Sequence, residues 1–143
     1  MAESVSLYLP LQTYVNVRSF TNAAFTQRVT LVEEDGTRHQ YEGSGEHDTP
    51  MPGGSFAIRT PASAKSPRGY EVTINVDTDQ SGTWRPSSLG QGSCGVMFYH
   101  LEMVVSEDYL DNDWNDCVVQ LTWWVPPQGR SAADRRSRKK KKR

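Results

Sequence analysis

The stretch Val15-Asn16-Val17-Arg18-Ser19-Phe20 alternates apolar and polar residues with period two, and its β-branched content fits a strand with one buried face. Working outward, Arg28-Val29-Thr30-Leu31-Val32 and Glu71-Val72-Thr73-Ile74-Asn75-Val76 repeat the pattern. Val96 to Val105 and Cys117 to Val125 read as the longest apolar strands. Turn chemistry separates them: Glu34-Asp35-Gly36-Thr37 carries the Asp-Gly pair of a hairpin, and Gly43-Ser44-Gly45, Pro50-Met51-Pro52-Gly53-Gly54 and Gly90-Gln91-Gly92-Ser93 read as further turns. No stretch of twelve or more residues combines helical apolar spacing with good helix formers, and no strand–helix alternation points to a parallel sheet. The expectation is an all-β chain, an antiparallel sandwich of roughly nine strands.

Charge divides the chain in two. Its 143 residues carry 16 basic and 17 acidic groups, a formal net charge of −1. Nine of the basic groups fall in Arg130 to Arg143 with the single acid Asp134, which gives that segment +8 and residues 1 to 129 a charge of −9. Pro126-Pro127 closes the last strand, because proline cannot donate to a ladder. Beyond it, the near absence of apolar residues predicts disorder. The expected organisation is one domain over residues 1–129 and a Lys/Arg-rich tail over 130–143. Three roles stay open for the tail besides solubility: nuclear import, sequence-blind contact with nucleic acid, or attachment to an anionic surface.

Several classes are excluded. No apolar run is long enough for a transmembrane helix, and Met1-Ala2-Glu3-Ser4 lacks the start of a secretory signal. The expectation is a soluble, cytoplasmic protein, nuclear if the tail acts as an import signal. Cys94 and Cys117 are too few for a disulfide framework and read as small core residues. His39, His47 and His100 are scattered with no nucleophile paired to them, and Ser44 between two glycines does not complete a nucleophile elbow. Catalysis is not expected.

The chemistry concentrates in Ser106-Glu107-Asp108-Tyr109-Leu110-Asp111-Asn112-Asp113-Trp114-Asn115-Asp116. From Glu107 onward, ten residues hold five carboxylates and two carboxamides with no basic group. Met103-Val104-Val105 and Cys117-Val118-Val119 flank the run and should anchor its ends in the core. Carboxylates held that close repel unless a cation or protons intervene. An all-oxygen ligand set suits a hard cation, Ca²⁺ above all, and the absence of Cys and His within the loop disfavours zinc and copper. An EF-hand is ruled out, since Asp116 occupies its glycine position and Thr122 its final glutamate.

The run Glu107-Asp108, Asp111-Asn112-Asp113-Trp114-Asn115-Asp116, followed by an apolar strand and Trp123, resembles the C-terminal signature of the calcium-dependent fucose/mannose-binding lectins of the PA-IIL (LecB) type. Leu9-Pro10, Phe20-Thr21-Asn22-Ala23-Ala24-Phe25-Thr26-Gln27 and Arg85-Pro86-Ser87-Ser88-Leu89 resemble further segments of that family in the same order, over most of residues 7 to 125. The resemblance implies two adjacent calcium ions that bind a mannose- or fucose-type sugar directly. Their ligands would be Glu107, Asp111, Asp113, Asn115 and Asp116, with the backbone carbonyl of Asn22. Asp108 would accept hydrogen bonds from the sugar, shared with Asp111, Asp113 and Asp116. Ala23 and Ala24 would line the specificity loop, and their methyl groups favour mannose-type ligands. Phe25 departs from the family's small residue there. The resemblance also implies a homodimer in which a terminal carboxylate reaches the partner's calcium site. Here the chain runs on past Trp123-Trp124-Val125, so either another oxygen substitutes or the dimer and one calcium site are altered. The alternative reading is a calcium-stabilised sandwich whose main partner binds through the tail.

Overall fold

The computed structural model describes residues 3–64, 69–78, 80–108 and 114–125. These form eight strands and no helix: β1 (Ser4–Leu7), β2 (Tyr14–Val32), β3 (Arg38–Arg59), β4 (Tyr70–Asp77), β5 (Arg85–Pro86), β6 (Ser88–Val96), β7 (Tyr99–Glu107) and β8 (Cys117–Trp124). Every pairing is antiparallel. The strands follow the order β1-β4-β2-β8-β7-β6, with β3 on β2 and β5 on β4. The two ends of that path approach each other, where the Gln91 side-chain amide donates to Ser6 O at 3.5 Å, so the sheet nearly closes into a barrel. No helix among the described residues is long and apolar enough to cross a membrane.

Strand β2 positions the site. The two short runs at Val15–Phe20 and Arg28–Val32 are halves of one 19-residue strand with different neighbours. Its first half pairs with β8 from Asn16↔Thr122 to Thr21↔Cys117. Its second half pairs with β4 from Thr26↔Asp77 to Val32↔Glu71. Register shifts between Arg18 and Gln27 bend the strand from one layer to the other, as bulges do. Tyr14 and Val32 consequently lie at one pole of the molecule, and Asn22 lies at the other.

Alternation does the packing. Val15, Val17, Val29 and Leu31 of β2, Val72 and Ile74 of β4, and Val119 and Leu121 of β8 are all fully buried in one core. Each such side chain contributes about 2 kcal/mol by leaving water. Trp123 packs against this core while Trp124 is 52% exposed, so the two tryptophans face opposite sides as their adjacency requires.

Three local expectations are corrected. Val96–Val105 is not one strand: Met97 takes a left-handed φ of 57° and the chain reverses there, with no glycine to signal it. Gly43-Ser44-Gly45, Pro50–Gly54 and Gly90–Ser93 are not turns between strands but lie inside β3 and β6. At Gly54 the reason is steric, since a Cβ there would sit 2.9 Å from the Tyr41 ring and 3.0 Å from Ser19. Finally, Cys117 is buried, but Cys94 is exposed, and both are free thiols.

Candidate functional site

The acidic loop leaves β7 at Glu107 and enters β8 at Cys117, and its ends are clamped because Ser106 and Cys117 pair across the two strands with no exposed surface. That anchoring drags charge inward. Glu107, Asp108 and Asp116 are 2%, 6% and 3% exposed, and each offers a carboxylate oxygen within 4.8 Å of the others. At that separation two carboxylates repel by about 3 kcal/mol for an effective dielectric near 20.

Backbone donors hold the cluster in place. Asp108 N–H donates to Asp116 Oδ2 at 2.8 Å, and Trp114 N–H donates to Glu107 Oε2 at 3.0 Å. Asp116 N–H reaches Ser106 O at 3.2 Å. These bonds do not neutralise the group. Burial, followed by the neighbouring charges of Asp108 and Glu107, pushes the Asp116 carboxyl up to about 8. An empty cluster therefore takes up a proton near neutrality, whereas a cation would release it.

Strand β2 supplies the second wall. Asn22 N–H donates to Asp116 O at 2.9 Å, and the Asn22 side-chain amide donates to Asn115 O at 3.1 Å and to Asp48 Oδ1 at 2.8 Å. Asp48 N–H returns a bond to Asn22 Oδ1 at 2.7 Å. Asn22, Glu107, Asp108, Asn115 and Asp116 are thus brought to one pole. Asp111 and Asp113 lie outside the described residues, as do Tyr109, Leu110 and Asn112. Ala23 is buried opposite Gly45, whereas Ala24 is exposed and Phe25 half-buried. Trp114 is half-buried, at a left-handed φ of 58°, and its ring helps line an apolar groove with Gly90, Met103 and Val105.

Two observations bear on whether a hard cation fits. The first is the donor set, which is all oxygen. The second is Asn115 Oδ1, buried and without a hydrogen-bond partner among the described residues. A buried amide oxygen without a donor is costly, and a cation satisfies it. The residues present therefore fit calcium.

Asp48 is the residue that sequence reasoning missed. It comes from β3, 26 positions from Asn22, on a bulged stretch of that strand where Gly45, His47 and Asp48 all have positive φ. The polar, glycine-bearing run Gly45-Glu46-His47-Asp48 is consistent with such an irregularity, but nothing local in it points to Asn22. Two of the three histidines are occupied elsewhere: His39 Nε2 lies 2.6 Å from Glu33 Oε2, and His100 stacks on Trp123.

A family model, fucose-binding lectin II (PA-IIL), matches residues 7–125. The chain belongs to this family, and by that membership it is a carbohydrate-binding lectin. Among solved structures it is similar to the Ralstonia solanacearum high-affinity mannose-binding lectin, at 26% identity and a TM-score of 0.63 over 90% of this chain and 99% of that one. It is also similar to the Chromobacterium violaceum lectin CV2L in complex with α-methyl-fucoside, at 25% identity and a TM-score of 0.62 over the same shares. The C-terminal domain of the BC2L-C lectin from Burkholderia cenocepacia, at 24% identity and a TM-score of 0.60 over 88% of this chain and 96% of that one, shares the fold. Comparison with curated proteins gives no match.

Proposed function

We infer that the chain is a calcium-dependent, non-enzymatic lectin for mannose- or fucose-type sugars. The observation that carries this reading is the buried triad Glu107, Asp108 and Asp116, whose carboxylate oxygens lie within 4.8 Å of one another and whose burial and crowding raise the Asp116 carboxyl to about 8. Glu107, Asp116, Asn115 and the Asn22 carbonyl would hold two calcium ions together with Asp111 and Asp113. When bound, calcium offers open coordination positions to vicinal sugar hydroxyls. The chain's own carboxylates then do the discriminating work: Asp108, with Asp111, Asp113 and Asp116, accepts the hydroxyl hydrogens in charge-assisted bonds. The Ala23–Ala24 loop adds no side-chain donor, which favours mannose-type ligands. The binding domain is residues 1–129. Carboxylates saturated by a divalent ion make poor general acids, which agrees with binding and not hydrolysis.

Calorimetric titration of mannose and of fucose, in calcium and then in chelator, tests the reading. Heat with at least one sugar, abolished by chelator, is expected. No heat from either sugar in saturating calcium overturns it.

A further inference from the structure

The large apolar side chains that stand exposed among the described residues all lie at the pole opposite the carboxylate cluster. Five of them form one patch. Val96, Met97, Phe98 and Tyr99 make the tip of the β6–β7 hairpin, with Met97 85% exposed. Val96 pairs with Tyr99, and Tyr99 pairs with Trp124 at the end of β8, so these three are cross-strand neighbours. Val125 N–H ties that end to Phe98 O at 2.8 Å. Tyr8, Leu11 and Tyr14 extend the apolar surface at the β1–β2 connection. Strand β7 is nine residues long, which sets the patch about 26 Å from Glu107 at about 3.3 Å per residue. Neither the core nor a sugar at the far pole uses it.

Exposed strand ends are ordinarily guarded by charged residues. From Leu89 to Leu101, however, the sequence holds no Asp, Glu, Lys or Arg. Charge of one sign follows instead. The described chain ends at Val125, beside Phe98, and Arg130 opens five positions later the segment with nine basic groups and one acid. An isologous contact between two copies through this patch would bring two segments of +8 together, and like charges oppose it. A nucleic acid would match the charge and stack on the aromatic rings, but it would leave Val96 and Met97 uncovered.

We propose that this pole docks on an anionic lipid bilayer, with the hairpin tip among the headgroups and the basic segment drawn to their charge. An anionic bilayer meets both halves of the requirement. Aliphatic tips enter the acyl boundary, Tyr and Trp favour the interface, and each Lys or Arg near the surface adds attraction. Stable attachment takes two such signals, and here they stand five residues apart in the chain. The acidic turn at this pole belongs to the β2–β4 layer, where Glu33 pairs with His39 and Asp35 accepts Thr37 N–H. Contact is therefore through the β6–β8 side, and the carboxylate cluster faces away from the lipid.

Sedimentation of the full chain with vesicles, in chelator and without sugar, tests this independently of the lectin reading. Phosphatidylcholine vesicles with about 30% phosphatidylglycerol should bind at least tenfold more protein than phosphatidylcholine alone, an excess lost in about 0.5 M salt. Val96→Ser/Met97→Asp should reduce binding to the mixed vesicles at least tenfold. Met97 has a φ of 57°, which Asp tolerates, and a cooperative melt would show that the variant is folded. Lys139→Gln/Lys140→Gln/Lys141→Gln/Lys142→Gln should cost a similar factor. Equal binding to the two vesicle types overturns the proposal, as does binding to neither. Full binding by Val96→Ser/Met97→Asp also overturns it, because the basic segment would then act alone. A wild-type dimer in light scattering that Val96→Ser/Met97→Asp converts to monomer assigns the patch to a second copy. Binding of a single-stranded oligonucleotide that this variant weakens as much as the lysine substitutions do assigns it to nucleic acid. Either result overturns the proposal.

Discussion

Glu107, Asp108 and Asp116 at one pole and Glu33, Glu34 and Asp35 at the other are two groups of three carboxylates with opposite physics. The first group lies on a loop whose ends are pinned by fully buried residues in neighbouring strands, and no member is more than 6% exposed. The second lies on a hairpin turn, where Asp35 is exposed and accepts Thr37 N–H at 2.9 Å, and Glu33 pairs with His39. Charge alone does not make a metal site. Desolvation by the flanking strands makes three ionised carboxylates unstable without a cation or a proton, and water at the turn removes that need.

The sharpest way to break this contrast is Asp116→Asn. The amide oxygen can still accept Asp108 N–H, so the substitution removes charge and spares the bond. With calcium at about 100 times its dissociation constant, binding stabilises the wild type by about 2.7 kcal/mol, near 10 °C in melting temperature for a domain of this size. The variant should lose most of this shift and the sugar heat with it. Equal calcium shifts in the two proteins, read by differential scanning calorimetry, would remove Asp116 from the site.

In chelator the sign reverses. The folded Asp116 carboxyl titrates near 8 against 3.8 unfolded, so the folded state binds more protons between those values. Its contribution is most favourable below the unfolded value and is lost as pH rises towards 8. Asn at this position cannot ionise, so Asp116→Asn should be the more stable protein without calcium, by a margin that widens from pH 5 to pH 8. Parallel melts that keep a constant gap would show that Asp116 is not the group that titrates.

Much of this contrast is legible in the sequence, for a definite reason. Period-two alternation in Val15–Phe20 and Glu71–Val76 reports burial directly, and the anchoring of Glu107 and Asp116 follows from their apolar neighbours in chain order. What escapes has causes that are not local. The reversal at Met97 uses a left-handed residue that is not glycine, and Gly54 of β3 serves close packing against Tyr41. Asp48 reaches Asn22 only because β2 bends at its bulges. The expected ligands Asp111 and Asp113 lie outside the described residues, so their part in the site rests on the family resemblance.

Asn22→Ala probes the wall that β2 contributes. It removes the bonds to Asp48 and Asn115 but leaves the Asn22 backbone and its bond to Asp116 O. The expected cost is about 1–2 kcal/mol, from the lost bonds and the donors and acceptors left open. Calcium should still bind, more weakly, because the carbonyl is present but less well held. A variant as stable as the wild type in both chelator and calcium would mean that the Asn22–Asp48 link does not order this pole.

Glu34→Gln carries the smallest expectation and closes the contrast from the other side. Glu34 has the same charge as Glu107, yet it sits half-buried on a hairpin turn that water reaches. Solvent-accessible charges of this kind are worth about 0.5 kcal/mol or less to stability. The substitution should leave the calcium-dependent melting shift and the sugar heat unchanged. A loss of stability above about 1 kcal/mol would mean that the turn cluster is as poorly solvated as the loop cluster. Burial by the flanking strands would then no longer distinguish the proposed calcium site from the turn cluster.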